Sequence, residues 1–364
     1  MLGSVPMADV KPFRAERYDE AKAGPLERLV APPYDVIAPS EREEYLARSP
    51  YNVVNLTLPD DEADAGRLWR EWRGGDVLAD EQESGFWWLS QDYVGPDGIA
   101  RARQGFVAAL RAEPYEKRVV LPHELTHRGP KEGRLRLLRE VRAQLEPLFF
   151  LYEGAPPAAR PESTPDVEVE GVRLWRLPPD GIAEAFADRQ LLIADGHHRY
   201  ETALAYHEEA GTPESAYVLA VLVSLDDPGL TIFPTHRLLE RVNGPAPTHD
   251  DVQAALGELE RQPSEEASGV LYRRDGRIAL LHGEAGQLDV ELVEALKPAG
   301  VTYTASLEDA VGAVDRGEAE GALLVRPTRV QDVYTRAQQG LVMPQKTTYF
   351  YPKLLSGLLF LPFG

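Results

Sequence analysis

The sequence predicts a mixed α/β fold, α/β with α+β character, ending in a second α/β lobe. Three observations carry this. Apolar runs of strand length (residues 148–152, 191–194 and 217–223) recur among segments with helical spacing along the whole chain. One run leads through Asp195-Gly196 directly into a helical stretch reaching about residue 210. From His249 the pattern changes to a helix, a hairpin turning at Asp275-Gly276, and two helix–strand units. The expected division is therefore 1–245, carrying the core, and 246–364, a C-terminal lobe ending in a polar-aromatic tail.

The elements follow in order. Residues 1–10 read as a short loose tail, because they hold no apolar core of signal-peptide length. Ala31 to Ile37 is a Pro-rich extended segment that can line a pocket through Tyr34 and Asp35. Ser40 with Glu43 reads as a capping box, and 53–58 as a compact strand. Leu68, Trp69 and Trp72 lie at helical spacing within 62–73, and Gly74-Gly75 stops that helix. Residues 86–93 and 103–110 flank Gly95-Pro96-Asp97-Gly98, a hairpin turn. Leu135, Leu138, Val141 and Leu145 form one face of an amphipathic helix over 131–145. The Pro- and Ala-rich stretch 154–165 fits a long loop within one sheet better than a domain linker.

Composition narrows the function. The 364 residues are 43% hydrophobic and 27% charged, as in ordinary globular proteins. Lys and Arg number 39 against 59 Asp and Glu, a formal net charge of -20. Nucleic acid and anionic membranes would be repelled at long range, so neither is an expected partner. An anionic ligand needs a local cationic cluster instead. The absence of Cys excludes disulfides, thiolate nucleophiles and thiolate metal sites. With no apolar run near the ~20 residues of a membrane span, the expectation is a cytoplasmic protein. Oligomeric state is left open, since the apolar tail 354–363 suits docking on its own domain or on a neighbour.

The stretch Asp195-Gly196-His197-His198-Arg199 carries the most chemistry. A helix start offers free N–H groups and the positive end of the helix dipole, both favourable to an anion. Asp195 reads as the N-cap, Gly196 allows close backbone approach, and a guanidinium with two imidazoles completes a phosphate or carboxylate cradle. The dipole should lower the His pKa values, leaving neutral rings such as His198 able to exchange a proton.

A second stretch, Pro122-His123-Glu124-Leu125-Thr126-His127, matches the His-Glu-x-x-His zinc pattern. Gly129-Pro130 stops any helix just after His127, and no third ligand follows at a recognised spacing, so the zinc hydrolase through His123, Glu124 and His127 is the weaker reading and no metal ligands are assigned. A carboxylate beside an imidazole, Glu124 beside His123, suits general-base work on a hydroxyl. Lys346, Thr347 and Thr348 form a third candidate, an ammonium and two hydroxyls suited to phosphate. His236 and Arg237 are a further cationic pair near a Pro-rich turn. Neither a P-loop nor a Gly-x-Gly-x-x-Gly dinucleotide turn occurs.

Together these residues resemble a widespread bacterial family catalogued as a domain of unknown function. Its members share Ala-Pro-Pro-Tyr-Asp-Val (31–36), Pro-His-Glu-x-Thr (122–126), Ala-Asp-Gly-His-His-Arg-Tyr-Glu (194–201) and Met-Pro-x-Lys-Ser/Thr-Thr-Tyr-Phe-Tyr-Pro-Lys (343–353). More distantly, the order Pro-His-Glu, Asp-Gly-His-His-Arg, Lys-Thr-Thr resembles the archaeal free L-serine kinases of ParB/sulfiredoxin-like fold. That resemblance implies a ParB/sulfiredoxin-like catalytic core and transfer of a phosphoryl group from ATP or ADP, with Mg²⁺, to L-serine or a similar hydroxy compound. Glu124 would accept the hydroxyl proton, assisted by His123 and His198. Asp195, Gly196, His197, His198 and Arg199 would hold the phosphoryl group, and Lys346, Thr347 and Thr348 would contact nucleotide phosphate. Tyr34, Asp35 and Arg237 are the remaining substrate-side candidates. The alternative is a nucleotide-binding regulatory module of ParB-like type.

Overall fold

A computed structural model describes residues 8–124, 129–344 and 346–363. The chain forms two compact units. The first comprises the described residues through Gly95, Ala100–Leu230, and those from Pro352 onward; the second holds Pro96–Ile99 and Thr231–Tyr351. The expected boundary at 245/246 falls inside the second unit, and the last residues of the chain return to the first.

The first unit is built on a nine-stranded mixed sheet. Its strands are β1 (Val10–Lys11), β2 (Phe86–Val94), β3 (Ala100–Arg111), β4 (Val120–Leu121), β5 (Leu148–Tyr152), β6 (Val167–Val169), β7 (Val172–Leu177), β8 (Leu191–Asp195) and β9 (Tyr217–Ser224). The order is β4-β8-β5-β9-β3-β2-β7-β6, with β1 also pairing β3. β5 and β8 are buried along almost their whole length, as continuous apolar runs in central strands should be. Phe86, Phe106, Phe150, Phe186 and Tyr200 fill the core beneath them. Among its helices are α1 (Glu62–Gly74), α2 (Gly129–Val141) and α3 (His197–Ala210). α1 approaches α2 at Gly66, where an added Cβ would stand 2.8 Å from the Glu140 carbonyl oxygen.

The pairing of β4 with β8 positions the site. These strands run parallel, Val120 opposite Leu191 and Leu121 opposite Leu192. Whatever follows Leu121 therefore emerges at the same sheet edge as whatever follows β8, where parallel α/β sheets place their ligands.

The second unit contains a five-stranded antiparallel sheet: β10 (His236–Leu239), β11 (Glu266–Arg273), β12 (Ile278–Ala285), β13 (Val301–Thr304) and β14 (Gly321–Val325), ordered β12-β11-β14-β10-β13. Helices Val252–Arg261, Leu307–Asp315 and Val330–Gln338 accompany it. The β11–β12 hairpin turns at Asp275-Gly276 as expected, with Gly276 at φ 79°.

Several local expectations are corrected. Val10 belongs to β1 rather than to a loose tail; residues 1–7 lie outside the described residues. Val54–Thr57 is a short helix instead of a strand. Asn52 Oδ1 accepts the Val54 N–H at 3.0 Å while its amide donates to Arg28 O, a side-chain turn that starts a helix before the apolar residues can extend. The helix Pro39–Arg48 is entered through Ala38, not Ser40, with Pro39 at its first position and Glu41 Oε2 accepting the Ala38 N–H at 2.7 Å. Tyr34–Val36 is a tight helical turn rather than extended chain. The amphipathic helix ends at Val141, and Ala143–Gln144 pairs with Leu361–Pro362, so the apolar tail docks on its own unit. Residues 154–165 are a loop inside the first unit.

Candidate functional site

The site gathers where β8 runs into α3. A bulge shifts the β5–β8 register between Ile193 and Asp195 and places Asp195 opposite Phe149. Gly196 follows at φ 97°, a left-handed conformation costly for any other residue, and its carbonyl accepts the Tyr200 N–H at 2.9 Å. Gly196 is thus the N-cap, and Asp195 does not cap the helix. The reason is electrostatic: both carboxylate oxygens are taken by cations. Arg199 Nη2 donates to Asp195 Oδ2 at 3.1 Å, and Lys353 Nζ pairs with Oδ1. Burial pushes the Asp195 pKa up, but Lys353 and Arg199 outweigh it and hold the carboxyl below its usual range.

His197 is buried, and burial, with His123 beside it, lowers its pKa to about 3. Desolvation, rather than the helix dipole, is the leading cause of the lowering. His123 is fully buried, and its Nδ1 lies 2.7 Å from Ile193 O, so that nitrogen carries the proton. The His123 main-chain N–H points to His197 Nε2 at 3.4 Å, and the rings meet edge to face with centroids 4.7 Å apart. Glu124 Oε1 stands 3.7 Å from His123 Nε2, and its side chain is 18% exposed. Its charge also acts on His197. His198 is half-buried in the first turn of α3, and its carbonyl accepts the Thr202 hydroxyl at 2.7 Å.

Arg199 points inward. Its Nη1 donates to Pro147 O at 2.8 Å, and Glu146, Asp195 and Asp35 supply the negative field that outweighs its burial. Tyr34 adjoins the same group: its N–H donates to Glu146 Oε1 at 3.0 Å, and Arg134 lies over its ring at 3.9 Å. Asp35 is exposed. The first unit therefore brings together Tyr34, Asp35, His123, Glu124 and the whole 195–199 turn.

The remaining candidates belong to the second unit. Arg237 is buried there, donating to Thr235 Oγ1 at 2.6 Å and to Lys346 O at 3.2 Å, over the Tyr303 ring. His236 Nδ1 accepts the Val325 N–H, and burial lowers its pKa to about 4. Thr347 is buried with its hydroxyl donating to Pro344 O at 2.6 Å, while Lys346 is exposed at φ 58°. Thr348 is half-buried. His127 lies outside the described residues; among those described, no group of three or more His, Asp or Glu is placed to hold a metal ion.

Sequence reasoning missed Lys353 as a site residue, although it closes the 343–353 stretch. Its partner Asp195 is 158 residues away, so no local spacing marks it. Two buried side chains staple its main chain to the first unit. Arg103 Nη2 donates to Pro352 O at 2.7 Å and to Gln91 Oε1, and Gln91 Nε2 donates to Lys353 O at 3.0 Å.

Fold and site define a mixed α/β protein with a strand–turn–helix centre built around a carboxylate, two cations and paired imidazoles. The chain matches the family described as "Protein of unknown function (DUF1015)" over residues 10–300, and it belongs to that family. Comparison with curated proteins gives no match. Solved structures similar to it include a free serine kinase in complex with AMP, 16% identical, TM-score 0.35, covering 64% of this chain and 83% of that one. SbnI with C-terminal truncation from Staphylococcus aureus is 11% identical, TM-score 0.39, covering 69% and 85%. A conserved hypothetical protein from Pyrococcus furiosus is 16% identical, TM-score 0.34, covering 64% and 86%. No helix among the described residues is long and apolar enough to cross a membrane.

Proposed function

We propose that this protein is a small-molecule phosphotransferase that passes the terminal phosphoryl group of ATP or ADP to the hydroxyl of free L-serine or a similar hydroxy compound. The observation that carries the reading is the contact between His123 and His197. It joins the Pro-His-Glu segment to the Asp-Gly-His-His-Arg turn, 74 residues apart in sequence, at one sheet edge. The order of the three motifs along the chain supports the same reading.

In this reading Glu124 removes the hydroxyl proton. The serine oxygen bonds to phosphorus as the bond from phosphorus to the nucleotide's bridging oxygen breaks, and ADP or AMP leaves with the released electron pair. His123 cannot move away from Glu124, because its Nδ1 and its main chain are both tied down. The helix start of α3 offers its free N–H groups to the phosphoryl oxygens. Phosphoryl transfer needs mainly this positioning and charge neutralisation.

Mg²⁺ fits the donor set in one form. It commonly binds through one or two carboxylates and the phosphates themselves, keeping waters elsewhere. Asp195 already has both oxygens paired with Arg199 and Lys353, and Glu124 serves as the base, so an ion carried in on the nucleotide would be held by the phosphates and its waters. Bound there, it would neutralise charge on the phosphates.

The test is formation of O-phosphoserine from L-serine with ATP or ADP. Loss of product in Glu124→Gln with nucleotide binding retained supports the assignment; unchanged turnover in that variant contradicts it.

A further inference from the structure

We propose that Lys353 is the phosphate-binding cation of this site, exchanging the Asp195 carboxylate for a phosphate oxygen of the ligand, with Arg103 and Gln91 as its positioning residues. The proposal rests on the phosphate-binding reading of the 195–199 turn and shifts that contact from Arg199 to a residue near the C-terminus.

The two cations on Asp195 differ in chemistry and exposure. Arg199 is buried, and besides Asp195 its Nη1 donates to Pro147 O at 2.8 Å. Delivering its guanidinium to a ligand would break that bond to the half-buried Pro147. Lys353 carries a compact charge with three donors on a flexible stem, and its side chain is 18% exposed. It can turn from a carboxylate to a phosphate while its main chain stays fixed. An Asp195 released by Lys353 remains paired with Arg199.

The staple on Lys353 is more expensive than docking requires. The returning segment is already fastened by backbone bonds, Ser356 with Ala31, Phe360 with Glu16 and Phe363 to Arg142. Arg103 adds a fully buried guanidinium lying on the Phe149 ring, its pKa pushed down to about 10 by burial. Among the described residues, its Nε and Nη1 are buried without a hydrogen-bond partner. A charge taken out of water at such cost, and spent on the carbonyl beside Lys353, sets the position of one residue. Phe149, on which Arg103 rests, is the cross-strand partner of Asp195.

The experiment is calorimetric titration of the full chain with inorganic pyrophosphate and with ADP. Lys353→Met is expected to weaken both by about 10- to 100-fold, the scale of one charged hydrogen bond, and Lys353→Arg to restore most of the loss. Asp195→Asn should bind pyrophosphate at least as tightly as the parent, since the competing carboxylate is gone. Adding Lys353→Met to Asp195→Asn should then cost at least the same factor. That pair carries the comparison if Lys353→Met alone fails to fold. Arg103→Gln should weaken pyrophosphate while raising hydrogen exchange at the amides of Lys353 and Leu354. Unchanged affinity in Lys353→Met, no loss on adding it to Asp195→Asn, or no binding of either ligand by the parent overturns the proposal. Lys353-dependent pyrophosphate binding without any phosphoserine product would refute the serine kinase reading and leave this proposal standing.

Discussion

His123 and His197 are linked through one main-chain N–H, which points from His123 to His197 Nε2 at 3.4 Å. This bond requires His197 to be neutral with its proton on Nδ1, since a protonated ring has no lone pair to offer. The strand pairing of Val120–Leu121 with Leu191–Leu192 sets the distance, and burial sets the protonation state. Register and desolvation together thus align the Pro-His-Glu segment with the helix start.

Acid should weaken the fold through its buried histidines. His197 and His236 have folded pKa values of about 3 and about 4, below the ordinary 6.5. Between those limits the unfolded chain binds protons that the folded chain refuses, so stability present above pH 6.5 is lost as pH falls. Each histidine contributes up to about 1.4 kcal/mol per pH unit. His236→Asn keeps an acceptor for the Val325 N–H and should flatten denaturant-unfolding stability between pH 6.5 and 4. An unchanged slope would show that His236 is not buried neutral.

Glu16 should act in the opposite sense. It is 1% exposed, lies opposite Asp80 in a strand pair, and meets Arg73 at 2.7 Å. Burial, aided by Asp80 and opposed by Arg73, raises its pKa to about 7. The folded chain therefore holds a proton that the unfolded chain has released, and the stability this confers is present below pH 4.5 and lost as pH rises through 7. Glu16→Gln keeps the neutral shape and should stabilise the protein at pH 8 by about 1–3 kcal/mol. A lower melting temperature for Glu16→Gln at pH 8 would reject this account.

Gly66→Ala should loosen the helix pair behind the site. Its Cβ would press on the Glu140 carbonyl at 2.8 Å and on Glu140 Cβ at 2.9 Å, driving α1 from α2. A loss of about 1–3 kcal/mol is expected despite the better helix propensity of Ala. Urea unfolding measures it; a neutral or stabilising result would mean that the helices yield freely.

The strand–turn–helix at 191–210 was legible because apolar run, glycine and helical spacing follow each other locally. Its electrostatics were not. Asp195 looked like a cap because Asp is a good one, but two cations from elsewhere claim its oxygens. Residues 53–58 looked like a strand because they are apolar, and a single side chain, Asn52, makes them turn. The inward turn of Arg199 follows from Pro147, Glu146 and Asp195, groups a linear reading cannot bring together. Lys353 and its Arg103–Gln91 staple depend on the same long-range return of the chain. The structure brings 122–124 against 195–199 because both segments follow short buried strands that pair in parallel.

The most direct test incubates the protein and Glu124→Gln with L-serine, Mg²⁺ and either ATP or ADP, and measures O-phosphoserine by mass spectrometry. The account predicts product with one donor from the parent and a loss of at least about 100-fold in Glu124→Gln, the scale of a missing general base. Absence of product with both donors, or equal product from the variant, would contradict it.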